Sequence, residues 1–312
     1  MKGSTNPPDP YSGHDGGHWN PVGSEVVASW AQGHFAENLA VDPTGAVYVS
    51  LHSHHRIDRF DPKTRRVDEF AQFAAPVAGL AFDATGSLWV TGGIVGQPPG
   101  YVWRVRAGKP ELWVEIPDAV FLNGCTPHLD GRTLLACESI TGRILAIDQI
   151  ANRWSVWLQD DRLRPKSPQM PGANGIKVHD GSAWISVTDR DTVVRSRIAA
   201  DRSPGPPEVV AEKLHADDFA FGESGIAYFA THAAHAVLRV HPDGGRETIA
   251  GPQEGAVGCT ACAFGRGAED HHSLYVTTTG GLRYPYRGTV QDAKLLRLNV
   301  GESGRPLLSG RE

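Results

Sequence analysis

The chain alternates apolar and polar residues over short runs, and clusters of Gly, Pro, Asn and Asp separate the runs at close intervals. No stretch sustains the 3.6-residue apolar spacing of an amphipathic helix, so the expected class is all-β with few helices. One stretch sets the unit: Glu37-Asn38-Leu39-Ala40-Val41-Asp42-Pro43-Thr44-Gly45-Ala46-Val47-Tyr48-Val49-Ser50 reads as a strand, a tight turn and a second strand. Related versions begin at Ala78, Asn123, Asn174, Asp217 and Thr260, between 41 and 51 residues apart. Further strand patterns follow within each unit, at 88–90 and 101–105 in the second and at 183–186 and 193–197 in the fourth. A period of roughly 40–50 residues with about four strands per unit is that of a propeller blade. Six units predict a six-bladed β-propeller.

The sixth unit supplies only three strand patterns. Ser24–Trp30, ahead of the first unit, is the natural fourth, so the N-terminal strand is expected to close the last blade and leave no open edge. The expected organisation is a flexible N-terminal arm over 1–23, a single propeller domain over 24–300 and a C-terminal tail over 301–312.

Composition is consistent with this. The 36 glycines and 22 prolines are spread along the chain, as many tight turns require. A net charge of −5 with interspersed signs argues against a nucleic-acid partner. No apolar run has the length of a membrane span. Residues 1–21 lack the apolar core of a signal peptide, which favours a cytoplasmic location. Four cysteines do not make a disulfide framework, and Cys259-x-x-Cys262 is expected to be packed as small hydrophobes. The tryptophans at 89, 103, 113, 154, 157 and 184 fall at strand positions and are expected to pack blade against blade.

The first position of the unit carries the candidate chemistry. It holds Glu37, Ala78, Asn123, Asn174, Asp217 and Thr260. In a propeller the first strand of each blade lines the central channel, so these residues should form a ring at one mouth. Asn-Gly, at 123–124 and 174–175, is taken singly a hairpin-turn dipeptide. Its recurrence in register with Glu37 and Asp217 points instead to a ring of oxygen donors. Two carboxylates and two amides without thiolate or imidazole suit a hard cation: Ca2+ first, with another divalent ion as the alternative. Asp218 should point to the other side of its strand and bond a neighbouring blade.

These residues, together with Ala263-Phe264-Gly265-Arg266-Gly267 and Leu274-Tyr275-Val276-Thr277-Thr278-Thr279-Gly280-Gly281, resemble the SMP-30/gluconolactonase (regucalcin-like) family of six-bladed propellers. That family includes sugar lactonases and a diisopropyl fluorophosphatase branch. The resemblance covers nearly all of residues 24–300. It implies that Glu37, Asn123, Asn174 and Asp217 hold a catalytic Ca2+. One position departs from the pattern: sugar lactonases carry an Arg before the third ligand, whereas this chain reads Phe121-Leu122-Asn123-Gly124. An aromatic in place of a guanidinium removes a hydrogen-bonding fork, so a substrate less polar than an aldonolactone is expected.

His34 and His215 precede the ring carboxylates, and His52 and His232 follow the second strands of blades one and five. All four are expected at the metal-bearing mouth as substrate-binding residues or bases, with Phe121 beside them. The expected function is a metal-dependent hydrolase opening a lactone or related ester of a small molecule, with Asp217 activating water or attacking directly. Three alternatives stand beside it: an organophosphate triester hydrolase, a non-hydrolytic isomerase or cyclase, and a binding propeller with a structural metal.

Overall fold

A computed structural model describes residues 18–305. Each repeat forms one antiparallel sheet, and the six sheets are the blades of a propeller. The first strands, Ala36–Val41, Val77–Phe82, Leu122–Pro127, Ala173–His179, Phe219–Phe221 and Cys259–Phe264, form the inner edges of the blades. Burial falls from the axis outward. Ala36–Val41 is buried along its whole length, whereas in the fourth strand of that blade, Arg66–Gln72, only Ala71 is buried.

The core is divided. Six separate clusters of buried side chains each join two consecutive blades, the last joining blade six to blade one. Each blade face therefore buries its apolar residues only against a neighbour, and the ring is stable because it closes. Trp89, packed edge-on against Trp113, and Trp103, packed against Phe73, lie in these seams as expected.

Closure takes the predicted route. Ser24–Trp30 pairs antiparallel with Ala293–Asn299 as the outer strand of blade six. Trp30 from this strand donates its Nε1–H to Asp58 Oδ2 of blade one at 2.8 Å, a buried bond across the seam. The expected loose arm and tail lie partly outside the described residues, at 1–17 and 306–312. Their described parts are held in place. His18–Trp19 adds a parallel fifth strand to blade five, and Val22 N donates to Ile249 O at 2.9 Å. Glu302 accepts from Tyr228 Oη at 2.6 Å, and Gly304 bridges to Gly222.

The inner strands share one irregularity. Pairing with the second strand slips at 36/38, 77/80, 122/125, 173/176 and 259/261, so Glu37, Ala78, Asn123, Asn174 and Thr260 all sit in β-bulges. A bulge re-aims the side chain it carries. The glycines after three of these residues answer a steric demand at the axis. A Cβ on Gly124 would lie 2.5 Å from Asn174 O, and one on Gly175 would run into Asp218. The Asn-Gly pairs are therefore close-approach sites inside strands, not hairpin turns.

Helical structure among the described residues is limited to short 3-10 turns, and no helix is long and apolar enough to cross a membrane. All four cysteines are buried and free, and burial pushes the Cys125 thiol up to about 12. Gly124→Ala is expected to destabilise the protein by about 2 kcal/mol or more, because the obstructing atom is backbone and cannot rotate away. Urea unfolding checks this. Gly23→Ala, where a Cβ meets nothing within 4 Å, serves as the neutral control.

Candidate functional site

At the mouth where the inner strands begin lies a cavity of about 340 Å³. Glu37, Asn123, Asn174 and Asp217 line it together, as the repeat register predicts. Exposure is 8% for Glu37, 2% for Asn123, 3% for Asn174 and 7% for Asp217, so the donors face the cavity from its floor. Of the other ring members, Ala78 has no donor. Thr260 spends its hydroxyl proton on Ala36 O at 2.7 Å and is absent from the cavity wall.

Hydroxyl groups just after the second strands set the orientation of the two amides. Thr188 Oγ1 donates to Ala216 O of the next blade at 2.8 Å, and Ser139 Oγ donates to Ala173 O at 2.6 Å. Each hydroxyl has one proton, so it can only accept from the asparagine beside it. Asn174 Nδ2 donates to Thr188 Oγ1 at 2.9 Å, and Asn123 Nδ2 to Ser139 Oγ at 3.4 Å. Both NH2 groups are thereby tied back, and the Oδ1 atoms are left as the groups available to a cation.

The carboxylates are poorly solvated. Burial pushes Glu37 up to about 7, opposed by the nearby Arg283 guanidinium and reinforced by Asp218. Asp217 rises well above the usual carboxylate range, first through burial and then through the charges of Glu37 and Asp218. Two buried acids whose pKa values are both raised, beside two oriented amide oxygens, form a donor set that fits a hard divalent cation. Among the described residues no group of three or more His, Cys, Asp and Glu is placed to hold a metal, so a cation here would rest on the two amide oxygens as well as the two carboxylates.

Below the ring the channel is closed. Asp218 accepts from Lys177 Nζ at 2.5 Å, from Asn38 Nδ2 at 3.0 Å and from its neighbour Phe219 N at 2.8 Å, joining blades four, one and five across the axis. This is the inter-blade role expected of it.

Three of the four histidines reach the cavity. His232 is the most intimate, with Nδ1 3.6 Å from Asp217 Oδ2 and Nε2 3.2 Å from Thr279 Oγ1. Burial, aided by Arg283, pulls its pKa down to about 3, so the imidazole is neutral. His52 is anchored through Nδ1 to Val77 O at 2.9 Å, and His215 through Nδ1 to Asp191 Oδ1 at 2.7 Å. His34 does not line the cavity: its Nδ1 bonds Ala31 O at 2.9 Å and its ring stacks on His54 at 3.8 Å, which keeps it outside the wall. Phe121 does line it, on a loop held by Glu138 Oε1, which accepts from Val120 N and Phe121 N.

Arg283 and Tyr284 were not anticipated from sequence. Arg283 lies over the Phe35 ring at 5.7 Å, and Tyr284 meets His232 edge-on at 5.4 Å. They lie further along the loop that follows the second strand of blade six, where Thr279 takes the position of His52 and His232. Extending that equivalence to the sixth repeat finds Thr279, the partner of His232 Nε2, and points to the loop but not to these two side chains. Met170, Pro168, Val95 and Ile140, which complete an apolar wall, come from loops with no repeat signal.

Fold and axial site together define a six-bladed propeller with an oxygen-donor ring at one mouth. No family model matches the chain, and no curated protein matches it by sequence. Solved structures do match. A luciferin-regenerating enzyme superposes with a TM-score of 0.72 at 14% identity, covering 92% of this chain and 98% of that one. Regucalcin, a calcium-binding protein from Agrobacterium tumefaciens, gives 0.69 at 16%, covering 95% and 99%. A gluconolactonase candidate gives 0.67 at 14%, covering 96% and 99%. At such identities the likeness is one of fold, and it agrees with the architecture expected from the family resemblance.

The pH dependence of the metal-free protein follows from the floor of this cavity. Glu37 has a folded pKa of about 7 against an ordinary value of 4.5. Its contribution to stability is therefore complete below about pH 4.5 and is lost as pH rises towards 7. In chelator, Tm is expected to fall between pH 5 and 7.5, Glu37 contributing the equivalent of about 3 kcal/mol at most and Asp217 adding in the same direction. Glu37→Gln should flatten the profile, and Ca2+ should raise Tm more at pH 7.5 than at pH 5. Thermal melts across this range check all three.

Proposed function

We propose that the protein is a Ca2+-dependent hydrolase that opens a lactone or cleaves a related ester. The observation that carries the reading is the buried donor set of Glu37, Asn123, Asn174 and Asp217, its amide oxygens freed by Ser139 and Thr188, on the floor of a cavity with apolar walls. Its resemblance to the SMP-30/gluconolactonase pattern supports the reading, as do the calcium-binding regucalcin and the gluconolactonase candidate that share its fold. Calcium bound there supplies a Lewis acid for the substrate carbonyl oxygen and neutralises the two carboxylates.

The remaining steps belong to the chain's own residues. Asp217 is the acid-base group or nucleophile, placed at the floor where a bound carbonyl would lie. His232 is its partner. The neutral imidazole lies with Nδ1 3.6 Å from Asp217 Oδ2 and Nε2 3.2 Å from Thr279 Oγ1, where it orients a water beside Asp217, and its low pKa leaves the proton transfer to Asp217. His52 is fixed through Nδ1 and offers its remaining ring nitrogen to the substrate, and His215 is held at the cavity wall by Asp191.

Phe35, Phe121, Val95, Ile140, Pro168 and Met170 provide an apolar wall, and Arg283 offers one polar contact at its edge. This favours a small molecule with an apolar body over a polyhydroxylated aldonolactone.

Asp217→Asn is expected to lower kcat by about a hundredfold or more while leaving the melting profile cooperative. Full activity in that variant would remove the assigned role. Turnover of a lactone and aryl-ester panel should vanish in chelator and return with Ca2+. Within the panel, alkyl-substituted lactones should exceed gluconolactone in kcat/KM by about tenfold or more, the value of a single methylene in an apolar pocket. The reverse order would overturn the substrate class.

A further inference from the structure

The opposite mouth of the channel is also built. It is formed where the inner strands end, and the Asp218–Lys177–Asn38 cluster separates it from the ring. The depression there has a volume of about 170 Å³, and Leu39, Leu80, Phe82 and Phe264 give it apolar sides. Its charged lining is wholly cationic: Lys177, Arg266 and Arg305.

Two of these cations are compensated. Lys177 pairs with Asp218 at 2.5 Å, and Arg305 pairs with Asp180 at 3.1 Å. Arg266 is different. Among the described residues its guanidinium makes no ion pair and no hydrogen bond, and its Nε is buried without a partner. Partial burial of an unpaired guanidinium is costly, and burial alone draws its pKa down. The chain nevertheless holds it in place. It stands between Gly265 and Gly267, and a Cβ at either would strike Asp270, so the glycines let this loop fold tightly against 270. Gly304 meets Phe264 just as closely, which brings Arg305 to the same depression.

We propose that this distal mouth is a binding site for a small organic monocarboxylate. The planar fork of Arg266 matches a carboxylate in charge and geometry. One uncompensated positive charge calls for a monoanion, and the leucine and phenylalanine sides take a short apolar body better than a strongly hydrated phosphate. The site is independent of the ring, because the closed channel floor lies between them.

Isothermal titration with sodium propionate and with inorganic phosphate, at fixed ionic strength on the full chain, tests this. Saturable binding of one propionate is expected, tighter than that of phosphate. Arg266→Gln should weaken it at least about tenfold, as loss of a charge-assisted bidentate contact does, and should melt no lower than the parent. Asp217→Asn should bind propionate as the parent does. Arg266→Lys, which keeps the charge but loses the fork, should be folded and weaker by severalfold. Heat that does not saturate, affinity unchanged in either Arg266 variant, affinity lost in Asp217→Asn, or phosphate bound more tightly would each overturn the proposal.

Discussion

Six strands must pass one another near a common axis, and the space there sets the rest of the structure. Gly124 and Gly175 let neighbouring inner strands approach until a single Cβ would touch the next strand or Asp218. The bulge that accompanies the approach turns the side chain at the first position of the unit towards the mouth. Hydroxyls on the second strands then bind carbonyls of the following blade: Ser50 bonds Ala78 O at 2.7 Å, and Thr91 bonds Asn123 O. Close approach, bulge and cross-blade hydroxyl are parts of one solution to crowding, and the donor ring is what that solution presents to solvent.

Charge along the axis is layered. Glu37 and Asp217 occupy the mouth, the Asp218–Lys177 pair closes the middle, and Arg266 stands at the far end. The middle layer is neutral as a unit, so the ends are left to their own partners. At the mouth, burial raises the pKa of two carboxylates, a strain that a divalent ion would relieve at both. At the far end, a lone guanidinium has no such relief from the described residues. The same low-dielectric channel thus creates opposite demands at its two openings.

Selectivity resides in parts that the repeat does not control. The ring is constrained by register, whereas Arg283, Tyr284 and Met170 reach the cavity from loops of unequal length. A scaffold of this kind can keep its ring of oxygen donors and reshape the cavity by altering loops, because the blade seams do not depend on them. Phe121 lies between these regimes. It directly precedes the inner strand of blade three, and the buried carboxylate of Glu138 holds its loop.

The sequence by itself determined the blade count, the closing strand at Ser24–Trp30 and the four ring donors. Each follows from periodicity, and periodicity is a local property that the chain repeats six times. It also placed His52, His215 and His232 at the mouth, through equivalence between blades. The tertiary structure alone decided which of these groups meet. His34 lies in the loop equivalent to that of His215 but one residue further from the ring carboxylate, and it stacks on His54, whereas a tie to Asp191 brings His215 to the wall. The Asn-Gly pairs look like turns until the neighbouring blade supplies the carbonyl that excludes a side chain. In the sequence Arg266 is one residue of the Gly-rich motif of the last blade, and only the assembled ring leaves its charge partly buried and unanswered by the described residues. Contacts between blades are contacts between residues far apart in the chain, and no local pattern encodes the distance between them.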